Sequence, residues 1–469
     1  MNKNLFLLLG GILFLGGCML TPEYTKPEAP IPADWPSGPA YKTARTTPGA
    51  PSPTDLPWQE FFTDKRLQQV IETALANNRD LRLAALNVQR ARAVYRIQRS
   101  ALYPALDATA NGSKQRIPAD LTTEGHARTA EQYDVSMGIL AWEIDFFGRI
   151  RSLKDQALET FLATEQARRG TQILIISTVA DTYLTLAADR ENLKLAKTTF
   201  DTQTSAYHLI KRRHEVGLGS ELDLHRAQTQ VDIARGDIAR YMQLVAQDEN
   251  TLNLLVGTLS PIPSETLSED LANIKPLKPI SAGISSEVLL HRPDILQAEL
   301  LLKAANANIG VARAALFPRI SLTTAVGTAS NELSGLFGSG SGTWLFAPQI
   351  NLPIFDARLW SALDAVKAEQ EIVLVQYEKA IQTAFREVAD TLAVQGTMDE
   401  RLLAQQSLVR AAEATYRLSN ARYTKGVDNY LSVLDAQRAL YAAQQGLVGL
   451  RQTKLSNQVR LYAVLGGGA

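Results

Sequence analysis

Trp344-Leu345-Phe346-Ala347-Pro348-Gln349-Ile350-Asn351-Leu352-Pro353-Ile354 places an apolar residue at every even position and mostly small or polar residues at the odd ones. Side chains along a strand alternate between its two faces, so this period of two gives one apolar and one polar face. In the segment before it, Ile320, Leu322 and Val326 share a face, and far upstream Tyr133, Val135, Met137 and Ile139 do the same. Segments of about ten alternating residues are what a bilayer-crossing β-strand needs. A pair of soluble hairpins packed on a core carries the same local pattern. Polar loops near 111–130 and the Gly/Ser-rich stretch 331–342 are the expected tips, within hairpins over about 104–147 and 318–356.

Two hairpins supply four strands, which cannot close a barrel, and an open sheet edge in lipid leaves backbone groups unpaired at several kcal/mol each. Known spanning barrels begin at about eight strands, so the barrel must be shared between chains. The count alone admits a dimer, a trimer or a tetramer.

The strands sit inside a longer repetition. Asp80-Leu81 through Tyr103-Pro104-Ala105-Leu106 returns as Asp294-Ile295 through Phe317-Pro318-Arg319-Ile320. Val179-Ala180-Asp181-Thr182, Gly217, Ala227-Gln228 and Val256-Gly257 return, at one constant offset, as Val388-Ala389-Asp390-Thr391, Gly426, Ala436-Gln437 and Leu465-Gly466. Register kept over a whole half marks an internal duplication of one structural unit. Each copy is expected to open with a helix that stops at a proline, over 65–102 and about 286–316. After each hairpin comes a proline-free helix, 149–216 and 358–425, of about 68 residues or roughly 100 Å. Turns at Gly217-Leu218-Gly219 and around Gly426 reverse the chain into return helices, 221–256 and 429–465. Ala227, Val231, Ala234, Ile238, Tyr241, Val245 and Leu252 step by heptad spacing, with polar Asp248 intervening. The second copy shows Ala436, Leu440, Ala443, Leu447, Leu450 and Leu461 in the same register, so close coiled-coil packing is expected. A bundle or spectrin-like rod shows such heptads too.

Composition narrows the function. Lys plus Arg is 48 and Asp plus Glu is 48, so no net field draws the chain to nucleic acid. Five histidines and one cysteine leave little for metal or redox chemistry. No Gly-Lys-Ser phosphate loop, His-Glu-x-x-His or Gly-x-Ser-x-Gly occurs, so no enzyme activity is expected. Lys3, the apolar run Leu5 to Leu15 and Leu15-Gly16-Gly17-Cys18 have the charge, length and small residues of a secretory signal, 1–17. This end resembles the lipobox of bacterial lipoproteins, which implies a lipidated Cys18 (N-palmitoyl and S-diacylglycerol) and no other cofactor. Met19 favours the outer membrane. Residues 21–57, rich in Pro, Ser, Thr and Gly, suit an extended strap, and 18–64 is assigned to it.

With these features together, the chain resembles the TolC-type outer-membrane factors, in the lipoprotein branch that includes OprM. The resemblance spans the mature sequence. It rests on Cys18, Pro22-Glu23-Tyr24, Trp58 to Phe62, the two Pro-terminated helices, Trp142-Glu143-Ile144-Asp145-Phe146-Phe147-Gly148-Arg149, and Arg422 through Arg438. It implies an α+β membrane protein: a trimeric 12-stranded transmembrane β-barrel continued by a 12-helix periplasmic α-barrel. The two repeats, 65–257 and 286–469, would flank an equatorial insert, 258–285.

The implied function is the outer-membrane exit channel of a tripartite efflux system, fed with drugs or other small molecules. Its partners would be a periplasmic adaptor and an inner-membrane pump of the proton-driven RND class. The alternatives are the exit duct of a type I protein-secretion system and a structural periplasmic coiled-coil lipoprotein. By the same resemblance, Val216, Gly217, Leu218, Lys425, Gly426 and Val427 are adaptor contacts at the periplasmic tip. Leu431, Asp435 and Arg438, at i, i+4 and i+7 on one helix face, form a periplasmic gate together with Tyr423. Ser432 stands where the family's type member is acidic.

Overall fold

The computed structural model describes residues 18–41, 56–123, 125–280 and 285–468; the signal segment 1–17 lies outside them. The chain divides into two compact units.

The first unit draws on Met1–Glu28, Asn87–Glu165 and Gln297–Tyr377. It holds a four-stranded antiparallel sheet in the order β1 (Asp107–Ile117), β2 (Arg128–Ile144), β3 (Arg319–Ser330) and β4 (Gly342–Asn351). Directly opposite residues share a face. The register sets Val135, Met137 and Ile139 against Thr328, Val326 and Thr324, and Val326, Leu322 and Ile320 against Trp344, Pro348 and Ile350. One face is therefore mainly apolar across β2, β3 and β4. The other is polar: Thr109 bonds Ser136 at 3.0 Å, and Asn111 donates to Asp134 at 3.0 Å.

The first tip is shorter than expected, because residues 111–117, read as loop, are strand. Their polar alternation belongs to the polar face. The period also breaks once inside β2. Between Ile139 and Trp142 two residues oppose one, a β-bulge that puts Ala141 at φ 52.

The Trp142–Arg149 motif builds the exit from β2. Glu143 accepts both forks of Arg149 at 2.8 and 2.7 Å, and Asp145 accepts the Ile150 and Arg151 amides at 3.2 and 2.9 Å. Gly148, at φ 76, makes the turn into the long helix.

The second unit draws on Ala29–Leu86, Gln166–Leu296 and Glu378–Ala469. Short α1 (Trp58–Phe61) leads into α2 (Lys65–Asn77), and α3 (Arg79–Ser100) starts in this unit. The single helix expected over 65–102 is thus two. Asn78 leaves the helical region (φ −59, ψ 133), and its side chain accepts the amides of Asp80 and Leu81 at 2.9 and 3.1 Å while donating to the Leu255 carbonyl. The break satisfies its own backbone groups.

The second copy breaks at the matching place. Residues 286–291 form a 3₁₀ turn, Arg292 is extended, and Pro293 opens the next helix, Pro293–Ala314. A proline disfavours helical geometry in the residue before it and fits the first helical position.

The long helices run Arg149–Glu215 (α4) and Ala357–Thr424 (α7), and the return helices Glu221–Val256 (α5) and Tyr430–Val464 (α8). The helix Pro293–Ala314, α6, lies between them in sequence. On α5 the heptad residues Ala227, Val231, Ala234, Tyr241 and Leu252 are buried, as are Ala436, Ala443 and Leu461 on α8.

The core gathers Ile176, Val179, Tyr183 and Leu252 with Leu267 and Leu271 from the insert. Phe61 stacks on Tyr462 at 4.1 Å, and the Tyr462 hydroxyl donates to the Leu56 carbonyl at 2.5 Å. Of the described helices, α4 alone is long and apolar enough to cross a membrane. More than half of its apolar stretch (56%) is buried inside the chain, as in a core helix.

Candidate gate and lipid anchor

Both tip turns close the same way. The Leu218 amide donates to Arg213 (2.7 Å) and the Gly217 amide to His214 (2.9 Å). The Val427 and Gly426 amides donate to Arg422 and Tyr423, both at 2.9 Å. This 6→1 and 5→2 pattern is the Schellman end, which needs a left-handed residue, and Gly217 and Gly426 both sit at φ 76. Ser220 and Asn429 then cap the return helices through their side chains. The turns present Val216, Leu218 and Val427, at 68%, 71% and 61% exposure, and an exposed Lys425.

Behind them, Tyr430, Val433 and Leu434 pack on Ile210 and Ala227, with Tyr423 half-buried beside them. Because that face of α8 is buried, Leu431, Asp435 and Arg438 fall together on its exposed face. Asp435 makes no ion pair among the described residues. Arg438 instead donates to Gln230 of α5 at 3.1 Å.

Sequence reasoning singled out Tyr423 and Arg438 but missed the partners that hold this tip. Arg213 lies over the Tyr423 ring at 5.2 Å, and Tyr423 meets Tyr430 at 5.3 Å. Arg422 clamps Asp428 at 2.6 and 3.0 Å, which holds the Asp428 carboxyl below the usual carboxylate range. Two more bonds continue the Arg438 link up the α5–α8 seam: Tyr441 to Asp237 (3.1 Å) and Gln445 to Tyr241 (3.0 Å). Each partner is chosen by packing, so no local pattern announces these pairs.

In the first unit, residues 18–28 follow one stripe of α6. Lys26 pairs with Glu299 at 2.9 Å, Asn306 donates to the Pro22 carbonyl at 2.8 Å, and Arg313 donates to that of Leu20 at 3.2 Å. Gly310 lies under Thr21, where a Cβ would meet the hydroxyl at 2.1 Å. The exposed Cys18 ends this strap beside Gly148, at the exit of β2.

The chain thus combines a sheet with one apolar and one polar face and long helices that reverse at exposed apolar turns. The sequence profile of the family "Outer membrane efflux protein" matches residues 70–258 and again 284–467. The "Toluene efflux pump outer membrane protein TtgC" of Pseudomonas putida is 49% identical over 469 residues, covering 100% of this chain and 96% of the relative. A solved membrane protein from Pseudomonas aeruginosa superposes with a TM-score of 0.88 at 36% identity, over 96% of this chain and 100% of its own. The open-state MtrE outer membrane channel of Neisseria gonorrhoeae gives 0.85 at 35% identity, over 96% and 98%.

The chain belongs to the outer membrane efflux protein family. It is an outer-membrane channel through which a tripartite efflux system discharges; it works with an adaptor and an inner-membrane pump, and its function is transport rather than catalysis.

Proposed function

We propose that three copies of the chain join their sheets edge to edge into one 12-stranded barrel, continued by a 12-helix periplasmic duct, each protomer contributing two repeats, 65–257 and 286–469. The carrying observation is the sheet itself: four strands with an apolar and a polar face, whose outer strands β1 and β4 each have a single partner among the described residues. Such edges are stable in lipid only when paired. The twofold match of the family profile supports the duplication. Acyl chains on Cys18 anchor the strap in the outer membrane at the barrel's base.

The tips around Gly217 and Gly426 receive the adaptor, offering Val216, Leu218 and Val427 as apolar contacts and Lys425 as a charged one. The pump behind the adaptor is of the proton-driven RND class. The cargo is small molecules, as the relative's name, with its toluene, suggests. At rest, Leu431, Asp435 and Arg438 from three copies narrow the entrance, with Tyr423 bracing the turn. Adaptor and pump open it by binding the splayed form better. The Arg438–Gln230 bond supports this reading, because it ties the gate helix to α5.

Replacing Asp435 and Arg438 together by Ala is expected to raise single-channel conductance in planar bilayers severalfold. Conductance equal to wild type removes the pair from the gate.

A further inference from the structure

A cavity of about 620 Å³ opens in the second unit where α6 begins and α8 ends. Its walls come from α4 (Ile173, Leu174) and α8 (Val459, Ala463), and they are mostly apolar. On α4 this is the side away from the insert: Ile176, Val179 and Tyr183 are buried in the core with Leu267 and Leu271, while Leu174 is 63% exposed.

The polar lining is balanced in charge. Asp181 and Asp294 face it with Arg292 and Arg460. Arg292 is already held by Asp294 (3.0 and 2.7 Å), Glu387 (3.0 Å) and the Val464 carbonyl (2.7 Å), so it is not free for an anion. Asp181 and Arg460 form no ion pair among the described residues. One polar atom lacks a partner there: the Ser456 hydroxyl oxygen, buried and without a hydrogen bond among the described residues. Binding sites for small molecules have this size and make-up, an apolar wall with a few convergent polar groups.

We propose that this groove is a binding site for an uncharged amphipathic molecule of drug size, its apolar body on Ile173, Leu174 and Val459 and a hydroxyl or carbonyl on Ser456. Equal numbers of lining acids and bases give a charged guest no net attraction, while the apolar wall penalises its desolvation. The inference rests on the duct reading above. On that reading each copy holds passing cargo in this groove.

The test uses the full-length lipoprotein in lipid nanodiscs and an uncharged benzophenone alcohol as photoreactive probe, with peptide mapping of the adducts. Gly170 borders the groove, and a Cβ there meets nothing within 4 Å, so Gly170→Trp can start a bulky side chain into the space without a backbone clash. Leu174→Trp fills it independently from an exposed position. The expected result is adducts within 170–181 and 453–466 that fall about tenfold in either variant, and about tenfold for carboxylate or ammonium analogues of the probe. Adducts confined to the strands, or unchanged by both variants, overturn the site. Conductance of the same wild-type preparation separates the two claims: a preparation that passes no ions sinks the duct reading, whereas unaltered labelling in a conducting one sinks the groove alone.

Discussion

Asp248 shows how one residue can set a pH response. It interrupts the heptad seam of α5, where one of its oxygens is buried without a hydrogen bond among the described residues. Asp189 of α4 stands against it, with Glu249, itself paired to Arg190 at 2.7 Å, and Arg240 close by. Burial, then the Asp189 charge, push the Asp248 carboxyl up to about 6, and burial raises Asp189 as well. Two carboxylates facing each other are two acceptors, and only a proton between them makes a bond.

A carboxyl whose folded pKa lies above its unfolded value of about 3.9 favours the folded state while protonated. Its contribution is full below that value and is lost as pH rises through about 6, with no further change above. The heat-denaturation midpoint should therefore fall between pH 4 and pH 7, and Asp248→Asn should flatten that slope and raise the midpoint at pH 8. A variant with the wild-type slope would show that the seam does not titrate.

At the scale of elements, the strap on α6 makes the most exposed claim. Glu299, Lys303, Asn306, Gly310 and Arg313 lie on one stripe, and Gly310 leaves the depth that Thr21 fills. Gly310→Leu should lift residues 18–28 from the helix and expose them to limited proteolysis, with little change in helix content by circular dichroism. Protection equal to wild type would mean the strap is held elsewhere.

The elements also show what was legible. The return helix 221–256 could be read to the residue, because its cap at Ser220 and its stop at Gly257 are both local chemistry. The faces of β2, β3 and β4 were legible because period two holds along them apart from the bulge, whereas most of β1 was read as loop. Pro293 marks the break before α6, but the single helix expected over about 286–316 ran through it; the break at Asn78 carries no such mark, since asparagine also sits inside helices. The bulge at Ala141 was invisible for a similar reason, as a left-handed position usually signals glycine. The tip glycines were legible, whereas the Arg213–Tyr423 and Arg438–Gln230 contacts depend on which helices pack together.

At the scale of the whole molecule, the free edges of β1 and β4 carry the account. Among the described residues each offers unpaired backbone groups that lipid cannot satisfy, and the register leaves an apolar and a polar face to the sheet. Closure by further copies meets both requirements at once. The most direct measurement is the native mass of the detergent-solubilised lipoprotein with its single-channel record. A mass of three chains, in a preparation that conducts ions, is the expected result; monomers stable without detergent and silent in the bilayer would contradict it.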